Sequence, residues 1–319
     1  MKYEKLKKTE MGQKWIVGKI VRQMREDEGL SLEQLSRGLC SVSTLSRMEA
    51  NEREMDLLLA SRIFQRLGYT VDKYELYAYP NELKQWDERY TLEQLAKNRN
   101  TEKLKEALDQ YAKNYGRKGT KLCPQSQYIN YMRGILLIQQ QKWNEAVSVL
   151  ECVAFEAIPN WKSDDISQEA LGKLEIELLD TLGDLFESLG NGEESYTIRE
   201  KLIKNIDRTE KRQRLYINYY ASLICKNGQA NLERKGPERM LKSIKTVLNI
   251  MKSEKCICFW PQILELQAVC LEQVSKQEKR EILKKWQEAY YIYLLYEQRE
   301  KAQKIRKYIK EEYQWECMM

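Results

Sequence analysis

Residues 29–53 read Gly-Leu-Ser-Leu-Glu-Gln-Leu-Ser-Arg-Gly-Leu-Cys-Ser-Val-Ser-Thr-Leu-Ser-Arg-Met-Glu-Ala-Asn-Glu-Arg. Two short helices separated by a tight turn are predicted here. Ser31 is placed to cap the first, and Gln34, three residues on, completes the capping-box spacing. Leu32, Leu35 and Leu39 supply the inward face of that helix. Gly38 breaks it, Leu39 and Cys40 plug the turn, and Ser41 is placed to cap the second helix. In the second helix Leu45 and Met48 face inward, which leaves Val42, Ser43, Ser46 and Arg47 outward. This is a helix-turn-helix pattern. A helix with short side chains near its start and an arginine one turn on suits a major groove, where base edges are read.

Working outward, residues 13–28 form a predicted first helix, with Ile16, Val17, Ile20 and Met24 at helical spacing and Gly29 as its stop. Lys14, Lys19, Arg22 and Arg25 fall on its outer face. Met55, Leu58, Leu59, Ile63, Phe64 and Leu67 outline a further amphipathic helix, and Thr70 is placed to cap a fifth through Tyr77. Residues 1–75 are therefore expected to form a five-helix DNA-binding domain. Its start is cationic: residues 1–25 hold eight Lys/Arg against two Glu, while the whole chain carries +6, so the remainder is neutral. Such an arm beside a helix-turn-helix suits phosphate contacts, which give affinity without sequence information.

The motif from Leu35 to Cys40, followed by Ser43 to Glu49, resembles the phage-repressor-like (lambda-repressor-like, XRE-type) DNA-binding domain of bacterial regulators. Its Gly-Leu-Cys turn is one residue shorter than the common form and is similar to the variant in the PlcR and Rgg class of peptide-pheromone receptors. Members of that class join the domain to tetratricopeptide-like helical repeats, so the resemblance implies an all-α chain with a TPR-like α-solenoid after the helix-turn-helix.

The rest of the chain fits that expectation. Residues 76–90 are predicted as a helical linker, and 91–319 as helix pairs forming a regulatory and dimerisation domain. Residues 91–98 and 101–115 make the first pair. Gly134, Leu137, Trp143, Ala146, Leu150 and Pro159 fall close to the 34-residue tetratricopeptide pattern, in which a small residue lets two helices approach and large ones fill the gaps. Residues 175–205 repeat the scheme, with Gly183, Phe186 and Gly190. Residues 212–252, with an insert from Gln229 to Pro237, and 262–297 are expected as two more pairs, and a long helix over 280–314 as the cap of the array.

Within the array, Tyr128-Ile129-Asn130-Tyr131 recurs as Tyr216-Ile217-Asn218-Tyr219. The resemblance implies an extended peptide held in a groove by asparagine side chains, which can give and accept a hydrogen bond at once. Asn130 and Asn218 are candidates; packing between helices is the competing reading. Tyr131 and Tyr219 map to groove-facing positions. Glu177, Asp180, Asp184 and Glu187 align on one helix face and would attract a ligand's amino terminus or a basic side chain, or else form a solvated acidic face.

Composition bounds the chemistry. There is no histidine, which excludes His-dependent triads and mixed Cys/His zinc sites. The eight cysteines have no framework spacing; Cys256 and Cys258 are one residue apart, which is not a chelating CxxC. No metal, cofactor or catalytic residue is expected, and no enzyme. No apolar run approaches 18 residues and no apolar segment follows the N-terminal lysines, so neither a membrane span nor a signal peptide is indicated, and a cytoplasmic location with reduced thiols is expected.

The reading is a sequence-specific transcription regulator that binds a double-stranded operator as a homodimer. The resemblance implies control by a short signalling peptide, as in quorum sensing. Ser43 and Arg47 are the leading base-contact candidates. Arg47 suits bidentate pairing with guanine and Val42 a thymine methyl, with Thr44 and Ser46 beside them. Arg53, Lys14 and Arg22 are expected at backbone phosphate. The alternatives are a repeat-based protein-interaction adaptor, or a regulator whose repeats only dimerise.

Overall fold

A computed structural model describes residues 17–69, 80–116, 123–274 and 279–314. These residues are helical throughout apart from turns and one short 3-10 segment, and no strand occurs among them. The chain divides into two compact units, 1–205 and 206–319.

In the first unit, α1 (17–27), α2 (Leu32–Ser36), α3 (Val42–Glu49) and α4 (Leu57–Arg66) surround one core. Val21, Leu35, Leu39, Leu45, Ile63 and Phe64 are its most buried members. Lys14 and the predicted fifth helix (Thr70 to Tyr77) lie outside the described residues. The expected linker and the first repeat helix are one continuous helix, α5 (Pro80–Lys97), because no breaker separates them after Pro80. It pairs with α6 (Thr101–Tyr115), and then follow α7 (Pro124–Gln139), α8 (Trp143–Ala157), α9 (Lys173–Ser188) and α10 (Gly192–Asp207).

The α7–α8 pair has the close approach that its sequence pattern requires. A Cβ on Gly134 would stand 2.3 Å from a Leu150 methyl carbon, so any larger residue there would require the Leu150 side chain to move. Ala146 and Leu150 are fully buried beside it. Between α8 and α9 the chain runs through a 3-10 turn (Asp164–Gln168). The buried Asn205 amide donates to the carbonyls of Ile166, Ser167 and Glu169, which fixes that connection against α10.

The second unit departs further from a regular array. Where a simple pair was expected over 212–252 there are four helices: α11 (Glu210–Leu215), α12 (Ile217–Lys226), α13 (Gly228–Lys235) and α14 (Pro237–Ser253). The expected insert is itself helix α13, closed by Gly236 at φ +81°. The long helix expected over 280–314 is two, α16 (Lys279–Leu295) and α17 (Arg299–Tyr313), folded back on α15 (Trp260–Val274). Glu297 adopts φ +57° between them, and the Gln298 and Glu297 amides close on the carbonyls of Tyr293 and Leu294, a Schellman end made without glycine. The Glu272 carboxylate joins the three helices by accepting from Trp286 Nε1 and the hydroxyls of Tyr308 and Tyr313, at 2.6–2.9 Å.

Candidate nucleic-acid interface and the junction behind it

The helix-turn-helix is built as its local signals require. Gln34 N donates to Ser31 Oγ at 3.1 Å, and Ser31 N donates back to Gln34 Oε1 at 2.8 Å, so both halves of the capping box form. Ser41 Oγ caps α3 by accepting from Thr44 N. Leu45 and Met48 anchor α3 in the core. On its other edge Val42, Ser43, Ser46 and Arg47 are exposed.

Arg47 is 57% exposed and has only a loose 3.6 Å pairing with Glu52, itself exposed. Pairs of this kind contribute roughly 0–1 kcal/mol and leave the guanidinium available. Thr44 is half-buried, and its hydroxyl accepts from Ser41 and, at 3.4 Å, from Arg53. That ties Arg53 to the start of α3. Arg22 is exposed on α1 beside Glu26.

Arg25 departs from the sequence reading. It does not decorate the outer face but grips Glu49 bidentately at 2.8 Å and donates to the Leu30 carbonyl. Glu49 is buried, so this pair fixes α1 against the end of α3. Cys40 fills the turn as expected, and burial pushes its thiol up to about 11, which leaves it inert.

Behind the recognition helix, the module is seated on the first repeats. Gly38, at φ +71°, lies so close to the end of α8 that an added Cβ would stand 2.2 Å from the Ala157 carbonyl oxygen. Gln127 of α7 donates to the Gly38 carbonyl, and Arg37 pairs with Glu169. From α4, Arg62 and Arg66 both donate to one oxygen of Glu175 on α9, at 2.8 and 2.6 Å. Arg66 also donates to the carbonyls of Leu35 and Arg37 and so closes the end of α2. Glu175 accepts from Gly172 N with its other oxygen. Complete burial would push its carboxyl up, but the two guanidinium groups overcome this and hold it down at about 2.

Sequence reasoning passed over Arg62, Arg66 and Glu175. The signal was present: Glu175 occupies the apolar register of Leu178, Leu179 and Leu182, and a charge in such a stripe needs a buried partner.

The remaining site candidates are placed as follows. Asn130 is half-buried and accepts from Arg133, and Tyr131 is half-buried on α7. Glu177 stands 3.6 Å from Lys173, and Asp180 is half-buried. Asp184 and Glu187 converge on Arg199 of α10 at 2.7 and 2.6 Å, so that both carboxylates of that half of the acidic stripe are tied to one guanidinium within the fold. In the second unit Asn218 is exposed and accepts from Cys256 Sγ, while Tyr219 makes an edge contact with Tyr216. Neither asparagine is buried between helices. Tyr131 and Glu177 meet in one cavity of about 650 Å³, which α4 and α5 also line.

Among the described residues no group of three or more metal-ligating side chains converges, the cysteines are free thiols, and no helix is long and apolar enough to cross a membrane.

Residues 21–74 match the helix-turn-helix family model HTH_3, so the first module is a helix-turn-helix DNA-binding domain. A sequence search of curated proteins finds no match. Among solved structures the chain is similar to Bacillus thuringiensis PlcR in complex with the peptide PapR7 and DNA, at 14% identity and TM-score 0.48, over 91% of this chain and 98% of that one. It is similar to the apo competence regulator ComR of Streptococcus vestibularis, at 12% identity and TM-score 0.46, over 93% and 97%. The Streptococcus dysgalactiae SHP pheromone receptor Rgg2 is a third, at 15% identity and TM-score 0.43, over 93% and 99%.

Proposed function

We propose that this chain is a cytoplasmic transcription regulator, not an enzyme, which reads an operator as a homodimer and is controlled by a short signalling peptide. One observation carries the DNA-binding part. Helix α3 buries Leu45 and Met48 and keeps Val42, Ser43, Ser46 and Arg47 on an edge that the fold leaves exposed. A helix held this firmly, with an uncommitted arginine on its outer edge, has the means to enter a major groove and discriminate bases. Dimerisation follows from information content, because one recognition helix reads a half-site too short to be unique in a genome.

Peptide control is the finer part of the proposal. It is supported by the resemblance of residues 35–49 to the peptide-pheromone receptors, and by Tyr131 and Glu177 lining a cavity whose walls include the DNA-binding module. A ligand there would act by binding one pose of the module better than another.

Selection of genomic fragments by the purified chain, beside Arg47→Ala, tests the reading. A short palindromic motif enriched by the native chain and lost in the variant is the expected result. Diffuse, salt-sensitive binding by both would overturn sequence-specific regulation and favour a repeat-based adaptor.

A further inference from the structure

The loop between α14 and α15 places two thiols together. Residues 254–259 read Glu-Lys-Cys-Ile-Cys-Phe, and the chain turns through the left-handed region at Lys255 (φ +53°) and again at Phe259 (φ +61°). The amides of Lys255 and Cys256 close the end of α14 on the carbonyls of Lys252 and Met251. From the other side the Tyr296 hydroxyl, just past the end of α16, donates to the Ile257 carbonyl at 3.0 Å. Cys256, Ile257 and Cys258 are thus held as a bend with a contact on either side.

The bend brings the two cysteines into contact. Their thiols share a hydrogen bond, and the Cys258 N–H donates to the Cys256 sulfur. Burial pushes the Cys256 thiol up, and the Cys258 thiol adds to that rise. Cys256 accordingly keeps its proton and donates it to Asn218 Oδ1 on α12 at 3.0 Å. Cys258 is the member that solvent reaches. Residues two apart span at most about 7 Å, and a bend shortens this into the range of roughly 4.4–6.8 Å between Cα atoms that a disulfide takes. No third metal-ligating side chain joins them among the described residues. What the bend offers is the chemistry of a dithiol, an exposed thiol beside a second one that can resolve it.

We infer that Cys256 and Cys258 are a modification site, a dithiol that hydrogen peroxide converts to an intramolecular disulfide. The Cys258 thiolate attacks one peroxide oxygen and the O–O bond breaks. Cys258 becomes a sulfenic acid, and the other oxygen leaves as hydroxide, which takes up the proton that Cys258 released. The Cys256 sulfur then attacks the Cys258 sulfur. The S–O bond breaks, the hydroxyl departs with the Cys256 proton as a second water, and the S–S bond forms. The two sulfurs give up two electrons, and one peroxide is reduced to two waters. The new bond removes the S–H that Asn218 accepts, so oxidation is felt on α12, within the second Tyr-Ile-Asn-Tyr motif. Cellular thiols reverse a bond of this kind by exchange. The inference rests on neither operator binding nor peptide control.

The test exposes the full, reduced chain to one equivalent of hydrogen peroxide, alkylates the remaining thiols with N-ethylmaleimide and maps tryptic peptides by mass. Two thiols per chain should be lost, both from the loop, with a disulfide from Cys256 to Cys258 that dithiothreitol reverses. Cys152, exposed on α8, is the internal control and should stay alkylated. Cys256→Ser should stop at a Cys258 sulfenic acid that dimedone captures, whereas Cys258→Ser should leave Cys256 alkylated. A disulfide joining two chains, oxidation of Cys152 to the same extent as Cys258, or full alkylation of both loop cysteines would each overturn the assignment. The readouts are peptide masses, so failure here leaves the operator and peptide readings untouched.

Discussion

The first module carries arginines on two opposed regions, and they are used in opposite ways. On α3, Arg47 is more than half exposed and pairs loosely with an exposed glutamate. On α4, Arg62 and Arg66 are almost fully buried and converge on Glu175, which is fully buried. One region leaves hydrogen-bonding capacity unspent toward solvent, where a duplex can use it. The other turns it inward, away from water, and not all of it is met: Arg62 Nε and Nη1 and Arg66 Nε have no acceptor among the described residues. Residue type therefore says little about role here; burial and partner count decide it.

The largest expected effect comes from breaking the inner region. Glu175→Gln leaves two buried guanidinium groups without their counter-charge, and disruption of this kind costs about 3–5 kcal/mol. Urea denaturation of the full chain should register it. Replacing all three charges at once, with Arg62→Met, Arg66→Met and Glu175→Leu, should cost far less, because apolar triads are often neutral or better. If the single and triple variants are equally unstable, the cluster holds the module by shape rather than by charge. The same carboxylate gives a pH signature. Its folded value, about 2, lies below the ordinary 4.5, so its contribution is complete above 4.5 and is lost as pH falls toward 2. Glu175→Gln should flatten stability across that window.

Next comes the turn that seats the module. Gly38→Ala meets two costs: a left-handed backbone at φ +71°, and a Cβ driven into the Ala157 carbonyl. The conformation alone costs about 1–3 kcal/mol. Gly29 is the control, since its φ is +66° but nothing lies within 4 Å of an added Cβ. Gly29→Ala should lose only the conformational part, and the difference between the two melts measures the seating contact. Equal losses would mean that the turn does not bear on α8.

The same contrast explains what the sequence made legible. The recognition helix was readable because its determinants are local: Ser31 with Gln34, Ser41 with Thr44, and Leu45 three residues before Met48. The seat was not, because Arg62 and Glu175 are 113 residues apart and each is ambiguous alone. Helix ends divide in the same way. Gly190 announced its turn, whereas Arg99, Gln141, Lys255 and Glu297 close theirs in the left-handed region without a glycine to mark them. That is why helical spacing predicts one long helix over 280–314 where the chain folds back at Glu297. Arg25, outward by its spacing, is drawn inward by Glu49, a partner 24 residues away that helical periodicity cannot reveal.

On the outer region effects should be smaller in stability and sharper in specificity. Arg47→Ala removes no buried contact, so its melt should stay within about 0.5 kcal/mol of native. On a matched operator it should lose about 1–3 kcal/mol at one base pair and discriminate less there. Titrations against operators substituted at each position would locate that pair. An equal loss on matched and scrambled DNA would make Arg47 a phosphate contact and erase its distinction from the rest of the cationic surface.

The smallest effect tests that surface itself. Arg22 is 62% exposed on α1, and its partner Glu26 stands one turn on in the same helix, so the pair adds little to the fold. If Arg22 neutralises a phosphate, Arg22→Ala should weaken every DNA sequence by the same factor. It should also reduce the slope of log affinity against log salt by about 1, because one fewer counterion is released. Arg47→Ala, acting at a base, should leave most of that slope intact. The two variants thus separate along two axes, sequence dependence and salt dependence, and neither should alter the melt. A variant that changed both slope and sequence preference would place a single side chain across backbone and base. In that event the outer region would work as one contact surface rather than as an anchor beside a reader.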